Sequence, residues 1–151
     1  MDVVNTRLPS SAIWLGGLGA IPFVGLAVAI PLVSDGLRPV VVHALAAYGA
    51  TILSFLGGVH WGLAMGSASS DKSDELWTRL TISVIPPLAG WAALVVAGRL
   101  GLCILAAAIA AMLWVDLRAT RLGQAPPWYP NLRIPLTCTV AGALLVGAVF
   151  Y

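Results

Sequence analysis

The chain has 151 residues and a net charge of +2; 60% of its residues are hydrophobic and 9% charged. A water-soluble domain carries about a quarter charged residues, and a chain this short cannot hide so much apolar surface in one water-facing core. The composition therefore excludes a soluble all-helical domain and leaves an integral membrane protein. No basic run points to nucleic acid.

Met1 to Pro9 is a short polar start without the Arg-rich character of a transit peptide. The first apolar segment covers residues 10–33. Ala27-Val28-Ala29 resembles a signal-peptidase site, but the segment is long and weakly charged before it, which favours a retained span. Pro22 lies mid-segment and is expected to kink it. Ser34-Asp35-Gly36 makes a turn.

The second segment, residues 40–66, organises the rest. Every fourth residue is small: Ala46, Ala50, Ser54, Gly58, Gly62 and Gly66. Residues four apart stack on one helix face, so the row is expected to form a groove for close helix approach. A strict four-residue spacing drifts by about 40° per step, so two partners are expected along it, one of them in another subunit or protein.

Ser67 to Leu76 is the most polar stretch and belongs in water. The third segment, residues 77–97, contains Pro86-Pro87, which free backbone carbonyls that need partners inside the bundle. Arg99-Leu100-Gly101 is expected to be a tight connection. The fourth segment covers residues 100–117. Residues 118–131 follow as a surface segment, where three prolines oppose a regular helix and Trp128 and Tyr129 favour the headgroup level. The fifth segment covers residues 132–151. The expected fold is one all-α membrane domain, residues 1–151, with five transmembrane helices. The two paired hairpins share one orientation, unlike the inverted repeats of many transporters.

Five spans place the termini on opposite sides. Arg7, Lys72, Arg79, Arg118, Arg121 and Arg133 fall on the N-terminal side, and only Arg38 and Arg99 on the other. The positive-inside rule then puts the N-terminus in the cytoplasm and the C-terminus outside. The Arg-rich, Ala- and Gly-rich composition suits a bacterial inner membrane.

Tyr48-Gly-Ala-Thr-Ile-Leu-Ser-Phe-Leu-Gly-Gly-Val-His-Trp-Gly62 resembles the signature of a small multi-pass membrane-protein family of unknown function. That family occurs in proteobacteria and mitochondrial inner membranes. Supporting matches, in the family's order, are residues 14–23, 84–91 and 127–137. Pro87 departs from the small polar residue expected there. The resemblance implies an inner-membrane protein and no particular chemistry.

His60 is the first candidate polar or ligand-binding residue, beside Trp61, because an ionisable group within a span invites a functional reading. The simpler reading, a hydrogen bond to a neighbouring helix, is favoured. Asp116, at similar depth, is within geometric reach of His60. The favoured reading pairs it instead with Arg118 or Arg121 at the surface. His43 and His60 are 17 residues apart, or about 25 Å along one helix, and cannot share a metal. A mixed-ligand site with Met112 or a cysteine has no support. Cys103 and Cys138 lack metal spacing and are expected to be free thiols. No cofactor or metal is expected. Pro127, Trp128, Tyr129 and Arg133 form a candidate surface docking patch for a partner or lipid headgroups.

With few reactive groups, the sequence favours a non-enzymatic accessory or assembly module packing against a larger membrane complex. The alternative is a small transporter or permeation protein, monomeric or dimeric. Reporter fusions at Tyr151 and at the N-terminus are expected on opposite faces of the membrane; finding both on one face would refute the five-span reading.

Overall fold

A computed structural model describes residues 8–67 and 73–151. The chain forms five helices: α1 (Ser10–Ala29), α2 (Arg38–Ser67), α3 (Ser73–Val96), α4 (Gly98–Arg121) and α5 (Tyr129–Phe150). All five are long and apolar enough to cross a membrane. The fold class matches the expectation. The N-terminal start with Arg7, and the centre of the polar stretch with Lys72, lie outside the described residues.

Several boundaries differ from the sequence reading, each for a local reason. α1 stops at Ala29, not at residue 33, shortly before Pro31, which has no N–H to continue the ladder. Arg38 ties down this corner by pairing with Asp35 at 2.9 Å and reaching the Ile30 carbonyl. The α3–α4 reversal sits at Ala97 and Gly98, both with positive φ (56° and 58°), and Arg99 to Gly101 are already helical. Two successive left-handed residues turn the chain within one link, a conformation only the second accepts without strain. α4 runs on to Arg121 and α5 begins at Tyr129, so the connection is residues 122–128 and not 118–131. Gly123 (φ 71°) ends α4, with its N–H donating to Thr120 and that of Gln124 to Ala119. This is the Schellman arrangement, and it satisfies two terminal carbonyls. Pro130 falls at the start of α5, where the missing N–H has no intrahelical acceptor to lose.

α2 contacts all four other helices, whereas α1 and α3 do not touch each other. Its buried row is Ala46, Ala50, Leu53, Gly57 and Ala64. This spacing follows the true helical period of 3.6, and it corrects the expected groove. Ala46 and Ala50 are packed inside, with Ala50 against Gly90 of α3. Ser54 is exposed and donates to the Ala50 carbonyl at 2.8 Å. A Cβ at Gly58, Gly62 or Gly66 would meet nothing within 4 Å. The strict four-residue row has turned out of the bundle by its midpoint.

Gly57 is the glycine at which α2 and α3 meet. A Cβ there would lie 2.5 Å from the Ser83 carbonyl oxygen and 2.9 Å from Pro87 Cδ. Pro87 has no N–H, so the Ser83 carbonyl four residues earlier loses its helical donor. The Gly57 backbone comes up against that freed oxygen, where a Cα–H can face it. The double proline thus finds its partner inside the bundle. α3 remains continuous through Pro86 and Pro87, as does α1 through Pro22. At the α1–α2 contact Tyr48 Oη donates to the Gly19 carbonyl at 3.0 Å, next to the Leu18 carbonyl that Pro22 leaves without a donor, and its ring packs on Phe23.

The core lies among α2, α4 and α5, with Phe23 entering from α1 and Ile30 from the turn just past its end. Leu45, Leu53, Leu102, Leu105, Ile109 and Leu144 are fully enclosed there. Gly57→Ala is expected to destabilise the bundle by about 1–3 kcal/mol through overpacking, while Gly58→Ala is near neutral. Unfolding midpoints of the two variants in mild detergent check the contrast; equal effects would contradict this α2–α3 geometry.

Candidate functional site

On α4 the inward stripe runs Leu102, Leu105, Ile109, Met112, Asp116 and Ala119. The intervals of three and four residues carry Asp116 onto the same buried face as the leucines. Asp116 is completely enclosed. An isolated carboxylate there would cost several kcal/mol, so partners must come from facing helices.

Two do. His60 Nε2 of α2 lies 2.7 Å from Asp116 Oδ1. Arg133 of α5 donates through Nε to Asp116 Oδ2 at 2.5 Å. The Tyr129 hydroxyl faces the same carboxylate. Asp116 also holds its own helix end, since its carbonyl accepts from Thr120 Oγ1 at 3.0 Å. One carboxylate therefore joins α2, α4 and α5, between one and two turns from the helix ends.

This overturns the favoured pairing of Asp116 with Arg118 or Arg121. Asp116 points inward, away from both, and Arg118 lies over the Trp114 ring at 5.6 Å. The hydrogen bond from His60 to a neighbouring helix is present, and its acceptor is Asp116. Trp61, the next residue, is turned outward and takes no part.

The expected docking patch does not assemble either. Pro127 is exposed and Trp128 half-buried, with its ring edge-on to Tyr129. Tyr129 is half-buried, and Arg133 is buried against Asp116. The Gly123 turn starts α5 early enough that Tyr129, Arg133 and Thr137, at four-residue intervals, share its inward face. Arg133 was the missed member of the site. Its sequence signal is its place at the head of the stripe Arg133, Thr137, Val140 and Leu144.

The site separates two cavities. One, of about 530 Å³, lies among α2, α3 and α4 and is lined by His60, Glu75, Arg79, Trp114, Arg118 and Gln124, among others. The other, of about 340 Å³, lies among α1, α2 and α5 and is largely apolar, with Tyr129 and Arg133 as its ionisable lining residues. Arg133 Nη2 and Thr137 Oγ1 are buried without a hydrogen-bond partner. Cys103 and Cys138 are free thiols, and no group of three His, Cys, Asp or Glu side chains suited to a metal occurs among the described residues.

The family model for a protein of unknown function, DUF3429, matches residues 8–149. The chain belongs to this family. It is similar to transmembrane protein 69 of Xenopus tropicalis, with 42% identity over 144 residues, 93% of this chain and 54% of the frog protein. It is 31% identical over 129 residues to transmembrane protein 69 of Mus musculus, covering 85% of this chain and 51% of the mouse protein. The chain thus spans about half the length of these relatives. No solved structure matches. The family, the helical membrane fold and the multi-pass arrangement agree with the sequence reading.

Asp116→Asn is expected to cost about 3–5 kcal/mol, because it leaves the Arg133 guanidinium buried and uncompensated. Asp116→Leu combined with Arg133→Met removes both charges and is expected to recover most of that loss. Detergent unfolding of the single and paired variants measures the coupling; additive effects would show that the two side chains act separately.

Proposed function

We propose that this protein is a non-enzymatic accessory or assembly module that packs against a larger inner-membrane complex. The observation that carries this reading is the outward face of α2. Ser54, Phe55, Gly58, Trp61, Gly62, Met65 and Gly66 are all exposed, at helical spacing. On one side of this face Phe55 and Val59 turn toward the apolar cavity; on the other Gly57 meets α3. Between them the three glycines leave open space. Small residues that admit a second backbone, flanked by large apolar side chains, are what transmembrane helices use to associate.

The doubly paired Asp116 supports the non-enzymatic part. Both carboxylate oxygens are engaged and the group is enclosed, so it serves to hold helices together. The excess of basic residues at the end holding His60, Asp116 and Arg133 supports placing that end in the cytoplasm of a bacterial cell.

Transport is the second reading, favoured by one observation. His60 lines one cavity and Arg133 the other, with Asp116 between them. A carrier could use that line to pass a proton or a polar solute.

Co-purification from the native membrane in mild detergent tests the accessory role. The wild type is expected to elute with a larger complex, and Gly62→Leu to lose it while keeping its unfolding midpoint. A wild-type protein that runs as a solitary monomer would refute the proposal, and one that runs only with copies of itself would replace it with a homo-oligomer.

A further inference from the structure

We propose that the cavity among α1, α2 and α5 binds a flat apolar molecule whose head presents a carbonyl oxygen, of the prenyl-quinone class. Its volume of about 340 Å³ falls in the size range of small-molecule sites. Three features of its wall select the occupant.

The first is an unused donor. Arg133 is more than nine-tenths buried and spends its Nε on Asp116. Its Nη2 has no partner. Arg133 lines the cavity while its Nη2 is enclosed, so a ligand oxygen at this end is drawn to the guanidinium, and a small turn of the side chain gives the costly unpaired N–H the acceptor it lacks. Tyr129 lines the same cavity, with its hydroxyl turned to Asp116.

The second is charge. Arg133 and Asp116 cancel one another. An added carboxylate or phosphate would leave an uncompensated negative charge in an apolar wall. A carbonyl oxygen accepts the hydrogen bond and adds no charge.

The third is shape. Gly19 leaves the α1 wall open, whereas Gly16 is covered by Leu136, and Phe23 and Phe55 contribute aromatic rings. Such a wall suits a planar ring better than a branched glycerol ester. The cavity is open on one side, so a tail can run out into the lipid. Phe55 borders both this cavity and the outward face of α2, but the cavity does not need the accessory role, since Gly58, Gly62 and Gly66 take no part in it.

The test uses the full-length protein in dodecyl maltoside, with decylubiquinone, dioleoylglycerol or decane as probe. Unfolding is followed by circular dichroism. Decylubiquinone is expected to raise the midpoint in a saturable way, as a ligand of the folded state must. Arg133→Lys keeps the charge opposite Asp116 but loses the guanidinium fork, and is expected to weaken the interaction at least tenfold. Gly19→Leu fills the slot at a position where an added Cβ has only Tyr48 Oη nearby, at 4.0 Å, and is expected to abolish the shift. Gly19→Leu touches no charged group, so it decides the matter even if Arg133→Lys does not fold. A decylubiquinone shift undiminished in Gly19→Leu would overturn the proposal. So would an equal shift from decane, which means an unselective apolar cleft, or a shift from dioleoylglycerol alone, which means a lipid ester site.

Discussion

Asp116 is a carboxylate held where no water reaches it, and the bundle is arranged to make that tolerable. His60 and Arg133 must come to it from two other helices, so α2, α4 and α5 are fixed in rotation and in height relative to one another. Apolar packing alone does this poorly in a membrane, because lipid tails solvate leucine as well as another leucine does. The two outer helices are attached by backbone approaches. α3 is seated where Gly57 meets the Ser83 carbonyl, and α1 where Tyr48 donates to Gly19. Each pairing uses a polar group or a missing side chain at one defined height.

Much of the architecture could be read from residue order. The number of helices and the division of basic residues follow from segment length and charge. The central place of α2 follows from its small residues. The helix ends were less legible, because they depend on one or two backbone conformations. Gly123 was visible as a glycine, but its role as a cap needed the chain to reverse there. Ala97 carries no signal at all for the positive φ it adopts. The groove was misread for a geometric reason. An interval of four looks like a face on paper, while the packed face advances by 3.6, so Gly57 and not Gly58 meets α3.

The candidate site was half legible. His60 and Asp116 stood out as ionisable groups within apolar runs. Their pairing was undervalued because Arg118 and Arg121 are closer to Asp116 along the chain. The stripe Leu102, Leu105, Ile109, Met112 argues the other way, since it fixes the direction in which Asp116 points. Arg133 was assigned to the surface because three nearby prolines suggested an irregular segment; one of them, Pro130, begins a helix instead. The chain matches about half the length of these relatives, so the features described here belong to the part of them that aligns with it.

The ion pair also bears on how the chain is made. Asp116 leaves the ribosome 17 residues before Arg133, and 56 after His60. An unaccompanied aspartate is among the least welcome residues in a segment entering the bilayer. When α4 arrives, His60 is already in place to receive one of its oxygens, but the guanidinium is still to come. The seven-residue link between Arg121 and Tyr129 keeps that interval short. The last two helices therefore enter most favourably as one hairpin, with the acid and the base crossing into the apolar layer together.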